Sequence, residues 1–201
     1  MNECCQKGMS ITLGMDGNNT PVRVDLEKIT HLMVGGGDKN VREAWTTRMI
    51  KELDVDQVMF IKTLQELQKT AVDAENKLQM MRNAGCCNRN DYTLKTGEII
   101  KPIVCVVESA AEWMDVYETK INACMRILGP FGRHAGVHLV WLCNTPLPNM
   151  LKCYFPGRIA FKTKNEEESV HILDMTGAEK LADEKTFLFT ADGEIAQLIY
   201  A

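Results

Sequence analysis

The chain has 201 residues, 45% of them apolar and 25% charged, a balance that excludes a disordered or fibrous protein and bounds the expectation to one domain with a substantial core. Lys and Arg number 23 against 27 Asp and Glu, a formal net charge of −4, so no global basic field holds the chain on a nucleic-acid backbone, and any DNA contact needs a local patch or a ring of copies. No window approaches the roughly 18 uninterrupted apolar residues of a membrane span. Met1-Asn2-Glu3-Cys4-Cys5 has neither the basic start nor the apolar stretch of a secretory signal, and a cytoplasmic chain is expected.

In chain order, residues 10–14 and 21–24 flank Asp16-Gly17-Asn18-Asn19 and predict a β-hairpin. Residues 31–34 form a short apolar strand running into Gly35-Gly36-Gly37, and Asp38 is placed to cap a helix over 40–53. A strand over 56–61 follows. From 64 to 83 the positions Leu64, Leu67, Ala71, Ala74, Leu78 and Met81 recur at helical spacing. Residues 103–107 are a continuous apolar run of the kind buried on both faces of a sheet; a helix over 110–128 comes next. Further strands are expected at 137–142 and 158–162, and 187–189 with 196–200 form a closing hairpin around Asp192-Gly193. Glu166-Glu167-Glu168 reads as a solvated acidic turn.

Strands alternating with helices predict an α/β fold with a mostly parallel sheet flanked by helices, because parallel neighbours need a crossover. Ligands of such sheets sit at the carboxyl ends of the strands, where the glycines of 35–37 lie. The eight cysteines show no C-x-x-C spacing, and Cys4-Cys5 and Cys86-Cys87 are adjacent pairs unsuited to tetrahedral chelation. No metal site is expected, and reduced thiols are the reading for a chain without a secretion signal. Cys105 and Cys143 read as buried apolar residues, and the twelve methionines as core filler.

Several stretches are similar to one family. "ITLGMDGNNTPVRVDLEKITHLMVGG", "AENKLQMMRNAGCCNRNDY", "KPIVCVVESAAEWM", "GRHAGVHLVWLCNTP", "PGRIAFK" and "ILDMTGAEKL" follow one another in the chain. They resemble, in the same order, segments of the motor domain of FtsK/SpoIIIE DNA translocases, a RecA-like P-loop ATPase family. The resemblance spans nearly the whole chain. It implies one RecA-like domain over 1–201, with the hairpin in 1–27 and the core in 28–201. It also implies a nucleotide site at Gly35, Gly36, Gly37, Asp38, Lys39 and Asn40, with Glu108 where the family has its Walker B acid. Arg133 and Arg158 match basic positions of the family, as contacts to a neighbouring subunit or a phosphate, and His31 and His138 match strand histidines that we read as structural.

The departures fall on the residues that perform chemistry. A Walker A loop surrounds phosphates with backbone N–H groups, neutralises them with lysine and holds magnesium with a hydroxyl. This loop is shorter than the family's, adds the negative charge of Asp38, and has Asn40 where the hydroxyl would stand. Two readings stay open for it: Lys39 or Arg42 restores phosphate binding, or the segment is a glycine turn capped by Asp38. Glu108-Ser109 replaces the family's Asp-Glu, and serine is no base near neutral pH; Glu112 is a further acid that could reach inward. Asn144-Thr145-Pro146 replaces Thr-Gln-Arg-Pro, and Val170 stands at an expected arginine. Segments after Ile61 and after Pro146 are shortened. The expectation is a degenerate Walker motif with no catalytic residues: a pseudo-ATPase of a DNA-translocation or secretion-type assembly, with protein partners or copies of itself. The alternative is a divergent DNA-stimulated ATPase using ATP and magnesium on double-stranded DNA.

Overall fold

The computed structural model describes residues 9–108, 110–143, 147–191 and 194–199, without the side chains of residues 55, 110–112, 114 and 115. Cys4-Cys5, Ser109, Asn144-Thr145-Pro146 and Asp192-Gly193 therefore lie outside the described residues, as does the Glu112 side chain.

The amino-terminal ribbon is β1 (Ser10–Met15) and β2 (Pro21–Asp25), followed by the short α1 (Leu26–Ile29). Then come β3 (Leu32–Gly35), α2 (Lys39–Ile50), β4 (Val58–Ile61) and α3 (Leu64–Asn83). α4 (Arg89–Thr96), β5 (Ile103–Val107), α5 (Ala110–Ala135) and β6 (Val137–Leu142) follow. α6 (Asn149–Lys152), β7 (Gly157–Phe161), α7 (Glu166–Leu173), β8 (Thr186–Ala191) and β9 (Glu194–Ile199) complete the described chain.

All nine strands join one sheet in the order β2-β1-β9-β8-β7-β3-β6-β5-β4. The five strands from β7 to β4 are parallel, as the alternation with helices predicts, and the two hairpins extend that core by antiparallel pairing. The apolar runs bury alternately on the two faces, as a period of two demands. Cys105, Val107, Leu139 and Trp141 face α3 and α5, whereas Val104, Val106, Val140 and Leu142 face Val41, Trp45 and Met49 of α2. The stripe of α3 buries Leu67, Ala71 and Ala74, and its start is fixed by a capping box between Thr63 and Glu66.

The helices α1, α4 and α6 are not among the expected elements, and two expected segments differ. α5 runs on through Pro130 to Ala135 rather than ending near Leu128, and it is interrupted at Tyr117 (φ −129°, ψ 22°). Glu166, Glu167 and Glu168 are the first turn of α7, not a turn between elements; Asn165 caps that helix, and three acids at a helix N-terminus suit its dipole.

His31 joins the layers around Pro130. Its Nδ1 accepts the Leu139 N–H (3.0 Å), so the ring proton is on Nε2, which donates to the carbonyls of Leu128 (2.9 Å) and Gly129 (3.1 Å). Gly132 leaves room for it: a Cβ there would stand 3.0 Å from His31 Cε1.

Candidate functional site: a glycine turn at the carboxyl ends of the parallel strands

β3 leads onward to β4 across β6 and β5, whereas β6 leads back to β7 on the other side of β3. The connections therefore leave the carboxyl ends of β3 and β6 in opposite directions, and it is at such ends that open α/β sheets bind ligands. The glycine turn occupies the β3 end. Gly35 ends β3 and packs on α7, where a Cβ would meet Ile172 Cδ1 at 2.8 Å. Gly36 (φ 68°) and Gly37 (φ 59°) are consecutive left-handed residues, a conformation open to glycine at little cost.

On its outer side the turn lies against β7. A Cβ on Gly36 would stand 2.3 Å from the Phe161 carbonyl oxygen, and the Gly37 N–H donates to the Lys162 carbonyl (2.8 Å). On its inner side lies Arg42, 5% exposed, whose Nη1 donates to the carbonyls of Gly36 (2.6 Å) and Gly37 (2.8 Å). Burial pulls the guanidinium below its ordinary pKa, against the opposing pull of Cys143, Asp38, Glu168 and Glu43. Beside it, burial pushes the Cys143 thiol up to about 12, so near neutral pH the thiol is uncharged and the opposing pull comes from the three carboxylates.

Asp38 caps α2 by accepting the Val41 N–H (2.9 Å). The side chain of Lys39 is 64% exposed and lies 3.5 Å from Glu43, one turn along α2. Asn40 is exposed in the first turn of α2. Glu108, just past the end of β5, faces Lys62 from the end of β4 at 3.7 Å. These two line a cavity of about 270 Å³ with Glu43, Thr46, Thr47 and Phe60, and none of the glycines borders it.

The structure thus groups Glu108 with Lys62 and α2 at a cavity that the glycines do not line. Arg133 and Arg158 stand apart from both, near the amino ends of β6 and β7. Arg133 borders a pocket with Arg89, Glu27 and His134. Arg158 donates to Asp174, as Lys152 does, beside a second pocket walled by Glu166 and Glu167. Lys62 had no signal in the sequence, because its partner is fixed only by the pairing of β4 with β5.

A five-stranded parallel core flanked by helices, with a glycine turn at the carboxyl end of β3, makes this an α/β fold, RecA-like by its structural neighbours. No family model matches the chain. The DNA translocase FtsK of Listeria monocytogenes is 26% identical over 218 residues, covering 86% of this chain and 29% of the relative. Among solved structures, the pCW3 conjugation coupling protein TcpA, in a monomer form with ATPγS, superposes with a TM-score of 0.83 at 18% identity, covering 96% of this chain and 66% of that one. The cytoplasmic domain of the type VII secretion ATPase EccC of Thermomonospora curvata gives 0.76 at 15% identity, covering 96% and 28%. The chain is homologous to the ATPase domains of the FtsK/SpoIIIE family, and spans 29% of the FtsK relative's length. Among the described residues, no helix is long and apolar enough to cross a membrane.

Proposed function

We propose that the chain, as one unit over residues 1–201, is an FtsK/SpoIIIE-like domain that no longer hydrolyses ATP and acts as a structural or interaction member of a DNA-translocation or secretion-type assembly. The observation that carries this reading is the turn's contact with β7. A phosphate cup needs successive N–H groups converging on an anion, but Gly37 spends its N–H on Lys162 and Gly36 is packed on the Phe161 carbonyl.

Two further facts support it. Lys39 and Glu108, the positions the resemblance puts on phosphate and magnesium, face Glu43 and Lys62. The nearby cavity, about 270 Å³, lies below the range of about 300–1,000 Å³ common for small-molecule pockets. The kind of assembly is taken over from the similar proteins, a DNA translocase, a conjugation coupling protein and a secretion ATPase.

Purified protein incubated with ATP, magnesium and double-stranded DNA is expected to release no phosphate above a buffer control. Turnover near about 1 s⁻¹, the low end for enzymes, overturns the reading. The alternative, a divergent DNA-stimulated ATPase, is favoured by one feature: Thr46, Thr47, Lys62 and Glu108 share a cavity, which brings hydroxyls, a cation and an acid together.

A further inference from the structure

The geometry points to an inversion of the turn's polarity: it is a guanidinium site, and the side chain of Arg42 is its resident ligand, bracing the turn between α2 and β7 where a nucleotide phosphate would otherwise do so. This rests on the reading that the turn takes no phosphate.

The sign of the ligand follows from which backbone groups point inward. Left-handed φ at both Gly36 and Gly37 accompanies two carbonyl oxygens facing the same Arg42 nitrogen, at 2.6 and 2.8 Å. Carbonyl oxygens repel a phosphate oxygen and attract a cation. Asp38, Glu43 and Glu168 add negative charge close enough to favour the charged form of Arg42.

The class of cation follows from burial and shape. Arg42 is 5% exposed, and a buried charge is tolerated when it is hydrogen-bonded and surrounded by opposite charge. A guanidinium stays protonated there and presents donors in a fixed plane, whereas a buried ammonium sheds its proton more readily. The helix beneath is arranged to hold the group, since Asp38 fixes the start of α2 and Thr46 Oγ1 donates to the Arg42 carbonyl (2.7 Å). With Arg42 on one side and β7 on the other, the turn is held in one conformation without any bound molecule.

The test is amide hydrogen exchange at Gly37, whose N–H bonds Lys162, in the full chain. Arg42→Ala is expected to accelerate that exchange at least tenfold while leaving the amides of β6 unchanged. Low-millimolar methylguanidinium is expected to restore protection; methylammonium at equal ionic strength is not. Unchanged exchange in Arg42→Ala overturns the proposal, as does equal rescue by methylammonium, or protection by ATP instead of methylguanidinium. If Arg42→Ala does not fold, refolding in methylguanidinium but not methylammonium supports the site, and refolding in neither overturns it. Phosphate release by the unmodified protein bears on the loss of hydrolysis alone, so the two readings fail separately.

Discussion

The imidazole of His31 accepts the backbone N–H of Leu139 at 3.0 Å while donating through its other nitrogen to the carbonyls of Leu128 and Gly129. One side chain thus ties the start of β3 to β6 and to the end of α5, and it can do so only as the neutral ring. Burial holds its pKa down, to about 4, against an ordinary value of about 6.5. Between those values the unfolded chain binds the proton and the folded one does not, so stability is full above about pH 6.5 and falls as pH drops towards 4. The loss is at most about 3 kcal/mol from this residue. Urea titrations across that window are expected to show the decline in the unmodified protein, and a shallower one in His31→Gln. At pH 7.5 the same variant is expected to be less stable by about 2–4 kcal/mol, because the Leu139 N–H loses its acceptor.

Gly36→Ala is expected to destabilise by about 2–4 kcal/mol: roughly 1–2 for a left-handed alanine, the rest for a Cβ driven against the Phe161 carbonyl, 2.3 Å away. Gly17, where a Cβ meets nothing within 4 Å, is the control. Gly17→Ala is expected to be neutral or stabilising by about 0.4–1 kcal/mol. Equal losses at the two sites in thermal unfolding would remove the close packing of the turn on β7.

Asp174 serves two cations, Lys152 and Arg158, both largely buried, while its own side chain is 58% exposed. Burial works to raise its pKa, but the hydrogen bonds from Lys152 and Arg158 outweigh it, and the carboxyl is held below the usual range. Its stabilisation is therefore present above the ordinary carboxylate value of about 3.9 and lost as pH falls below it. Asn tolerates the left-handed backbone of Asp174 (φ 62°), so Asp174→Asn removes mainly the charge. Allowing for solvent screening, the loss is expected to be about 1–3 kcal/mol at pH 7 and to shrink progressively as pH falls below about 3.9.

ATP with magnesium, at millimolar concentration, is expected to leave the melting temperature unchanged, and Lys39→Ala and Glu108→Gln to behave as the unmodified protein does. A site filled at a hundredfold above its Kd adds about 2.7 kcal/mol, about 5–11 °C for a chain of this size. A rise of that order, abolished by Lys39→Ala, would favour the divergent ATPase. In the absence of nucleotide both substitutions are expected to shift stability by less than about 0.5 kcal/mol, since each breaks only a partly exposed ion pair.

Strand runs such as Ile103–Val107 and Val137–Leu142 were legible because burial on both faces makes every position but His138 apolar. The glycine turn and its Asp38 cap were legible from local chemistry. α7 was not, since three consecutive glutamates read as solvent until Asn165 is seen to cap them. Nor was the length of α5: Gly129-Pro130 is a stop signal, and the helix passes it with His31 bonded to two of the carbonyls beside it. At the site, the resemblance located the turn and Glu108, but the pairing of Glu108 with Lys62 depends on strand register, and the inward path of Arg42 depends on a turn conformation that no residue pattern encodes.

The placement of β1 between β2 and β9 sets a timetable for assembly. The earliest strand described can pair with its neighbour in the ribbon as soon as both exist, yet its one pair with β9, Met15 with Ile199, forms only after 184 further residues (199 − 15) have been made. Contacts between such distant residues slow folding, and until β9 arrives the Met15 end of the ribbon lacks its neighbour. A ribosome-bound chain stopped before β9 is expected to recruit chaperones that a chain stopped after β9 no longer needs.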